Sequence, residues 1–187
     1  MRRILLIMVL CLLAVASTGC KKARLRAQLK ELMSSTIVLP EKITCVYNGE
    51  VFPMPDSLRD KPKLIVYIDS TECTTCRISQ IDKYYHIFQL LKEKGLFELM
   101  LIFPNIELLG IPAERYVLDS EVRCPVYFDI GNKFLELTPS ITFDQRLHTF
   151  LVDHTGTPMF VGDPISSREM HRLFMNAVNK QINRIIL

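Results

Sequence analysis

The stretch KLIVYIDSTECTTCRISQ, residues 63–80, contains a run, LIVYI at 64–68, that is apolar at every position. A strand with one wet face alternates polar and apolar residues, so a run without alternation has to bury both faces. A chain built around it therefore needs a covering layer on each side, which points to an α/β architecture. The run ends at polar residues 69–72, after which Cys73 and Cys76 stand three positions apart. Behind them Ile78, Ile81, Tyr85, Phe88 and Leu91 keep a helical period, so one long helix closed by Gly95 is expected.

Further strands and helices follow from the same signals. LFELMLIF, residues 96–103, reads as a second buried strand, and a strand after a helix makes a parallel pair with the first. Asn48 and Gly49 between two β-rich segments predict a hairpin near the N-terminus. Residues 105–123 are less regular and are expected to hold a short helix starting near Pro112. PVYFD (125–129) and HTFLVD (148–153) read as strands, and TPMFVGDP returns antiparallel to the latter through a turn at residues 154–156. Ser166 and Glu169 in capping-box spacing open a last helix whose apolar face is Met170, Leu173, Phe174, Ala177 and Val178. The order predicts a mixed central sheet with helices on both sides, in one domain spanning residues 37–187.

The N-terminus has a different character. Arg2 and Arg3 precede an apolar stretch from Ile4 to Val15 and the small residues of ASTGC, so residues 1–19 read as a signal peptide. The apolar core is short of the roughly 18 to 20 residues that span a bilayer. The residues before Cys20 resemble the lipobox of bacterial lipoproteins, with Ser17 where Leu is usual, which implies a lipid on Cys20. The alternative is an ordinary secretory cleavage site. Either way export is expected, to a compartment where disulfides persist. With the lipid, the protein is a membrane-anchored lipoprotein facing the periplasm. Residues 20–36 form the linker, in which Leu25, Leu29, Leu32 and Met33 share a helical face among basic residues. That helix either lies on an anionic membrane or packs on its own domain.

Charge follows the same division. Residues 1–30 hold seven Lys or Arg and no acid, which leaves sixteen basic against twenty acidic residues, a net −4, from Glu31 onward. An acidic body without basic clusters or stacking motifs excludes a nucleic-acid role. At 49% hydrophobic residues the chain can also fill a core without staples.

The cysteine pair therefore needs a reason other than stability, since closing so short a loop removes little chain entropy. A closed zinc site needs four ligands, and no second Cys-x-x-Cys or His-x-x-x-His is present. Haem attachment fails because Arg77, not His, follows Cys76. Redox chemistry suits the placement. Cys73 falls at a helix start, where unpaired N–H groups favour a thiolate, and Cys76 on the same face is near enough to close a disulfide. Cys73 is then the attacking thiol and Cys76 the resolving one. Glu72 would raise the Cys73 pKa, and Arg77 would lower it if directed at the sulfur. Two alternatives stay open: Cu(I) handling by both thiols with His148, and a redox-inactive binding domain. The redox reading requires no metal and no cofactor. Cys45 and Cys124 read as small buried hydrophobes, or as a further disulfide in an oxidising compartment.

LIVYID, CTTC with its helix, PVYFD, and FLVDHTG leading into a hairpin and a terminal helix together resemble the thioredoxin-like superfamily. Within it the similarity is to exported, membrane-tethered thiol-disulfide oxidoreductases of the TlpA and peroxiredoxin-related group, over about residues 40–187. The resemblance implies a thioredoxin-like three-layer fold and an enzyme that exchanges disulfides with protein thiols. It assigns Cys73 as nucleophile, Cys76 as its partner, and a separate upstream redox protein. Two departures stand out: Thr71 and Glu72 replace the usual Trp before the first cysteine, and no proline precedes HTFLVD, where Leu147 or His148 stands instead. His148 is either a proton shuttle or ligand near the cysteines or a strand histidine of the core. A peroxidase would need Thr or Ser three positions before its cysteine in a proline-containing loop; Ser70 has the spacing and the loop lacks the proline.

Overall fold

The apolar run becomes the doubly buried strand its composition demands. The computed structural model describes residues 22–186 except residues 70, 71, 109, 142 and 143, so the leader, Cys20, Ser70 and Thr71 lie outside the described residues. In chain order the elements are α1 (22–33), β1 (Ile43–Tyr47), β2 (Glu50–Pro53), β3 (Lys63–Tyr67), α2 (Thr74–Ile78), α3 (Tyr85–Lys94), β4 (Glu98–Pro104), β5 (Glu107–Leu108), β6 (Ile111–Pro112), α4 (Ala113–Leu118), β7 (Val126–Asp129), α5 (Phe134–Leu137), β8 (Thr149–Val152), β9 (Pro158–Val161) and α6 (Arg168–Ile186).

Seven strands form one mixed sheet in the order β2-β1-β7-β4-β3-β8-β9. β3 pairs parallel with β4 and antiparallel with β8, and β4 pairs parallel with β7. All five residues of β3 are buried. Even its first, Lys63, is only 2% exposed; the ammonium donates to the Arg59 carbonyl at 2.7 Å, and burial pulls its pKa down to about 8 against the charges of Asp60 and Glu98. The expected hairpin forms with Asn48 (φ 52°) and Gly49 (φ 77°) both in the left-handed region, and β1 docks antiparallel on β7.

The period-two alternation of β3 divides the core. Leu64, Val66 and Ile68 face a layer that includes Ile78 of α2, Ile87 and Leu91 of α3, Ala113 and Val117 of α4, and Phe174 and Val178 of α6. Ile65 and Tyr67 face Leu32 of α1, Phe134 of α5, Met54 and Ile141. Helices therefore cover both sides, as expected.

Two local expectations are corrected, and one short helix is added. The single helix from Cys73 to Gly95 is instead α2, a 3-10 turn at Ile81–Tyr84, and α3. Buried Ile78, Ile81, Tyr84 and Ile87 are spaced by three, the period of a 3-10 helix, and the Ser79 hydroxyl bonds the Cys76 carbonyl at 2.8 Å where the α-helix would have continued. Gly95 does close α3 in the left-handed conformation, φ 69°. At α6 the capping side chain is Ser167, whose Oγ accepts from the Met170 amide at 3.1 Å; Ser166 donates to the Asp163 carbonyl and Glu169 pairs with Arg172. The four-residue α5 is too short for a period and is placed by Asp129, whose Oδ2 accepts from the Phe134 amide at 2.7 Å.

The two readings of the linker helix are decided in part. Leu32 is fully buried and Leu25 packs on the same cluster, so α1 sits on its own domain. The chain after it is strapped down: the Ile37 amide donates to the Gly156 carbonyl (2.9 Å), the Val38 amide to the Thr138 hydroxyl (3.3 Å), and Ser140 to Ser35 (2.8 Å). Among the described residues, no helix is long and apolar enough to cross a membrane.

Gly156, at φ +82°, is where strap and hairpin turn meet, and an added Cβ would lie 2.5 Å from the Ile37 carbonyl oxygen. Gly156→Ala should cost about 1–2 kcal/mol for the backbone conformation alone, and more for displacing the strap. Urea unfolding of the two proteins measures this, and an unchanged midpoint would contradict the strap.

Candidate functional site

β3 ends at Tyr67, and the chain leaves the sheet through a turn that Glu72 braces from inside. Glu72 Oε1 accepts from the Asp69 amide at 3.1 Å, Oε2 lies 3.3 Å from Arg77 Nε, and Oε1 lies 3.6 Å from Nδ1 of His148. Its side chain is 9% exposed. Burial pushes this carboxyl up, but the neighbouring His148 imidazole, the Asp69 amide and the Arg77 charge together outweigh it and hold Glu72 below the usual carboxylate range.

Cys73 is the N-cap of α2, with extended backbone, and its Sγ accepts from the Cys76 amide at 3.3 Å. The Thr75 hydroxyl lies 3.5 Å from the same sulfur. Cys73 and Cys76 are exposed and joined in a disulfide, Cα to Cα 5.2 Å. Arg77 is directed at Glu72, so the two neighbouring charges largely neutralise each other. Because α2 has five residues, a Cys73 thiolate rests on the nearby amide and a short stack of peptide dipoles rather than on those of a long helix.

His148 is the residue just before β8. It is 2% exposed, its ring meets the edge of Tyr67 at 5.5 Å, and its carbonyl accepts from the Tyr67 amide at 2.9 Å, extending the β3–β8 ladder. The structure thus joins Glu72, Arg77 and His148 in one chain of contacts beside the cysteines, with Glu72 and His148 buried and Arg77 partly exposed. No group of three or more His, Cys, Asp or Glu side chains able to hold a metal ion occurs among the described residues.

Sequence reasoning missed two neighbours. A groove of about 340 Å³ runs between α2 and α4, starting at Thr75 and lined by Ile78, Tyr116 and Val122. On the other side of α2, a cleft of about 200 Å³ lies over Val66, Ile68, Leu101 and Phe103, with Arg77, Tyr84 and Asp163 at its wall. Tyr84 has helical core spacing, so nothing in the sequence distinguishes it from a purely packed ring.

Cys45 and Cys124 are free thiols. They belong to the two different core layers, on opposite faces of the sheet, which explains why they do not pair. Burial drives Cys45 up to about 11, against its bond with Tyr127, and Cys124 up to about 12.

No family model matches the sequence, and no curated protein gives a significant match. Among solved structures, a chain from Chlorobium tepidum described as a thiol:disulfide interchange protein DsbE superposes with a TM-score of 0.50 at 13% identity, covering 76% of this chain and 97% of that one. The fold is thioredoxin-like. The thioredoxin domain of a thiol-disulfide oxidoreductase from Bacteroides vulgatus gives a TM-score of 0.47 at 14% identity (76% and 96% covered). A chain described as a protein disulfide isomerase from Bacteroides thetaiotaomicron gives 0.48 at 18% (78% and 89%). In this thioredoxin-like fold the cysteine pair follows a central strand, as the sequence places it.

Two outcomes are expected. In the native, reduced protein at about pH 8, iodoacetamide should modify Cys73 while sparing Cys45 and Cys124, as read by peptide mass spectrometry; rapid labelling of either buried thiol would contradict its placement. Second, a carboxyl held below its ordinary value stabilises the fold above that value and loses the contribution as pH falls through the folded one. Stability should therefore fall more steeply from about pH 5 to pH 3 in the native protein than in Glu72→Gln, by urea unfolding at each pH. Parallel profiles would remove Glu72 from the interior network.

Proposed function

We propose that this chain is an exported thiol-disulfide oxidoreductase that exchanges disulfides with protein thiols through Cys73 and Cys76. The observation that carries the reading is the solvent-exposed Cys73–Cys76 disulfide at the turn after the central strand, with the Cys76 amide aimed at the Cys73 sulfur. A buried staple or a pair facing apart would have no such chemistry.

In the reductive direction the Cys73 thiolate attacks one sulfur of a substrate disulfide, and the other substrate sulfur leaves as thiolate. Cys76 then loses its proton, attacks Cys73 Sγ and expels the first substrate sulfur, so the substrate gains two electrons and the Cys73–Cys76 disulfide forms. The oxidative direction is the reverse. A second thiol-disulfide protein upstream resets the pair. Glu72, Arg77 and His148 are positioning residues: they fix the turn that presents Cys73 and keep a charged, hydrogen-bonded chain beneath it. The N-terminal features support residues 1–19 as a signal peptide, Cys20 as the lipid-bearing residue, residues 20–36 as the anchored linker and 37–187 as the thioredoxin-like domain, held at a membrane facing the periplasm.

Cys76→Ser should leave the second step without a nucleophile and accumulate mixed disulfides through Cys73, visible as adducts by non-reducing electrophoresis and mass spectrometry from cells. Cys73→Ser with Cys76→Ser should accumulate none. The proposal fails if Cys76→Ser yields no adducts where the equivalent thioredoxin variant traps them.

A further inference from the structure

We infer that the outer flank of α1 lies against an anionic lipid surface while its inner face holds the domain. The inference rests on the membrane-anchored reading above and adds to it a defined contact.

At 3.6 residues per turn, Leu25, Gln28 and Leu32 point to the domain, matching their burial. About a quarter-turn round, Lys22, Arg26, Leu29, Lys30 and Met33 share one flank, and all five are exposed. Arg24 and Glu31 fall on the far side. Leu29 and Met33 are 36% and 37% exposed, and Val38 in the strap is 43% exposed. These three are close together in the chain, among seven large hydrophobics exposed in the described residues. Exposed apolar side chains also occur elsewhere, as at Leu173 of α6; what sets this flank apart is that two of them stand among three cations and no acid.

Charge selects the occupant. The flank holds three basic residues and no acid, whereas the chain from Glu31 onward carries a net −4. An anionic headgroup layer is attractive to the flank and repulsive to the rest, so it orients the molecule. A second copy of this acidic body would also attract the flank, but a lipid on Cys20 would hold the helix at a headgroup layer, and the density dependence below separates the two. The strap that follows α1 is bonded to the β8–β9 turn at Gly156, beside Lys63 at the start of β3. The cysteines lie past the other end of β3, so the strap does not cover them.

The chain contains no tryptophan, so one introduced indole reports its own surroundings. The full chain, as processed by cells, is purified in detergent and reconstituted into vesicles of phosphatidylcholine with or without about 30% phosphatidylglycerol, each doped with brominated acyl chains as quencher. Leu29→Trp should be quenched at least about twofold more in the anionic vesicles, and the difference should vanish near 0.5 M salt or with Lys22, Arg26 and Lys30 all changed to Glu. Leu173→Trp, on α6 across the sheet, should not respond. Vesicles that float with bound protein but leave the Leu29→Trp indole unquenched overturn the contact and spare the anchor. Equal quenching in both lipids overturns the charge argument. Shielding that grows with protein density rather than with anionic lipid overturns it in favour of contact between copies. Protein that does not float with either vesicle overturns the anchor as well. The redox reading survives all of these, because trapping by Cys76→Ser does not depend on lipid.

Discussion

Burial of β3 on both faces is the constraint from which the rest of the structure follows. A strand with no solvent side supplies its polar backbone groups only to neighbouring strands, so β4 and β8 must pair along its length. Its alternate side chains feed two separate core layers, each of which needs a helical cover. Burying a Leu, Ile or Val side chain contributes about 1.5–3 kcal/mol, so a one-residue slip of β3 would misplace several such residues at once. Even Lys63 is tolerated there because the Arg59 carbonyl accepts from its ammonium at the strand's end.

The candidate site inherits its position from that strand. Beyond the end of that buried strand, Glu72 ties the chain to the Asp69 amide, to Arg77 of α2 and to His148, the residue before β8. Cys73 follows directly as the exposed N-cap of α2. The interruption of the helix at Ser79 belongs to the same arrangement. It lets residues 81–84 track the sheet by threes while α2 keeps the geometry that closes the disulfide.

Much of this was legible in the chain. LIVYI announced a central strand, Asn48-Gly49 a hairpin, Gly95 a helix end, and the spacing of Cys73 and Cys76 a pair at a helix start. Each is a local property: two or three neighbouring residues restrict the backbone whatever surrounds them. Glu72, Arg77 and His148 were also visible as candidates, but not how they would combine. The helix break at Ser79 and the cap at Ser167 were misjudged because two local options were nearly equal, and contacts with the sheet and with Asp163 chose between them.

The sequence by itself determined the layer count, the strand-turn-helix carrying the cysteines, and the split between a basic N-terminus and an acidic body. Hydrophobic period and charge are written in residue order, so they need no partner to be read. Only the tertiary structure decided that the Arg77 charge goes to Glu72 rather than to a sulfur, that Cys45 and Cys124 stand on opposite sides of the sheet, and that α1 spends one face on its own domain while leaving another free. Those outcomes depend on residues far apart in the chain arriving within a few ångströms of each other, and no local periodicity encodes that distance.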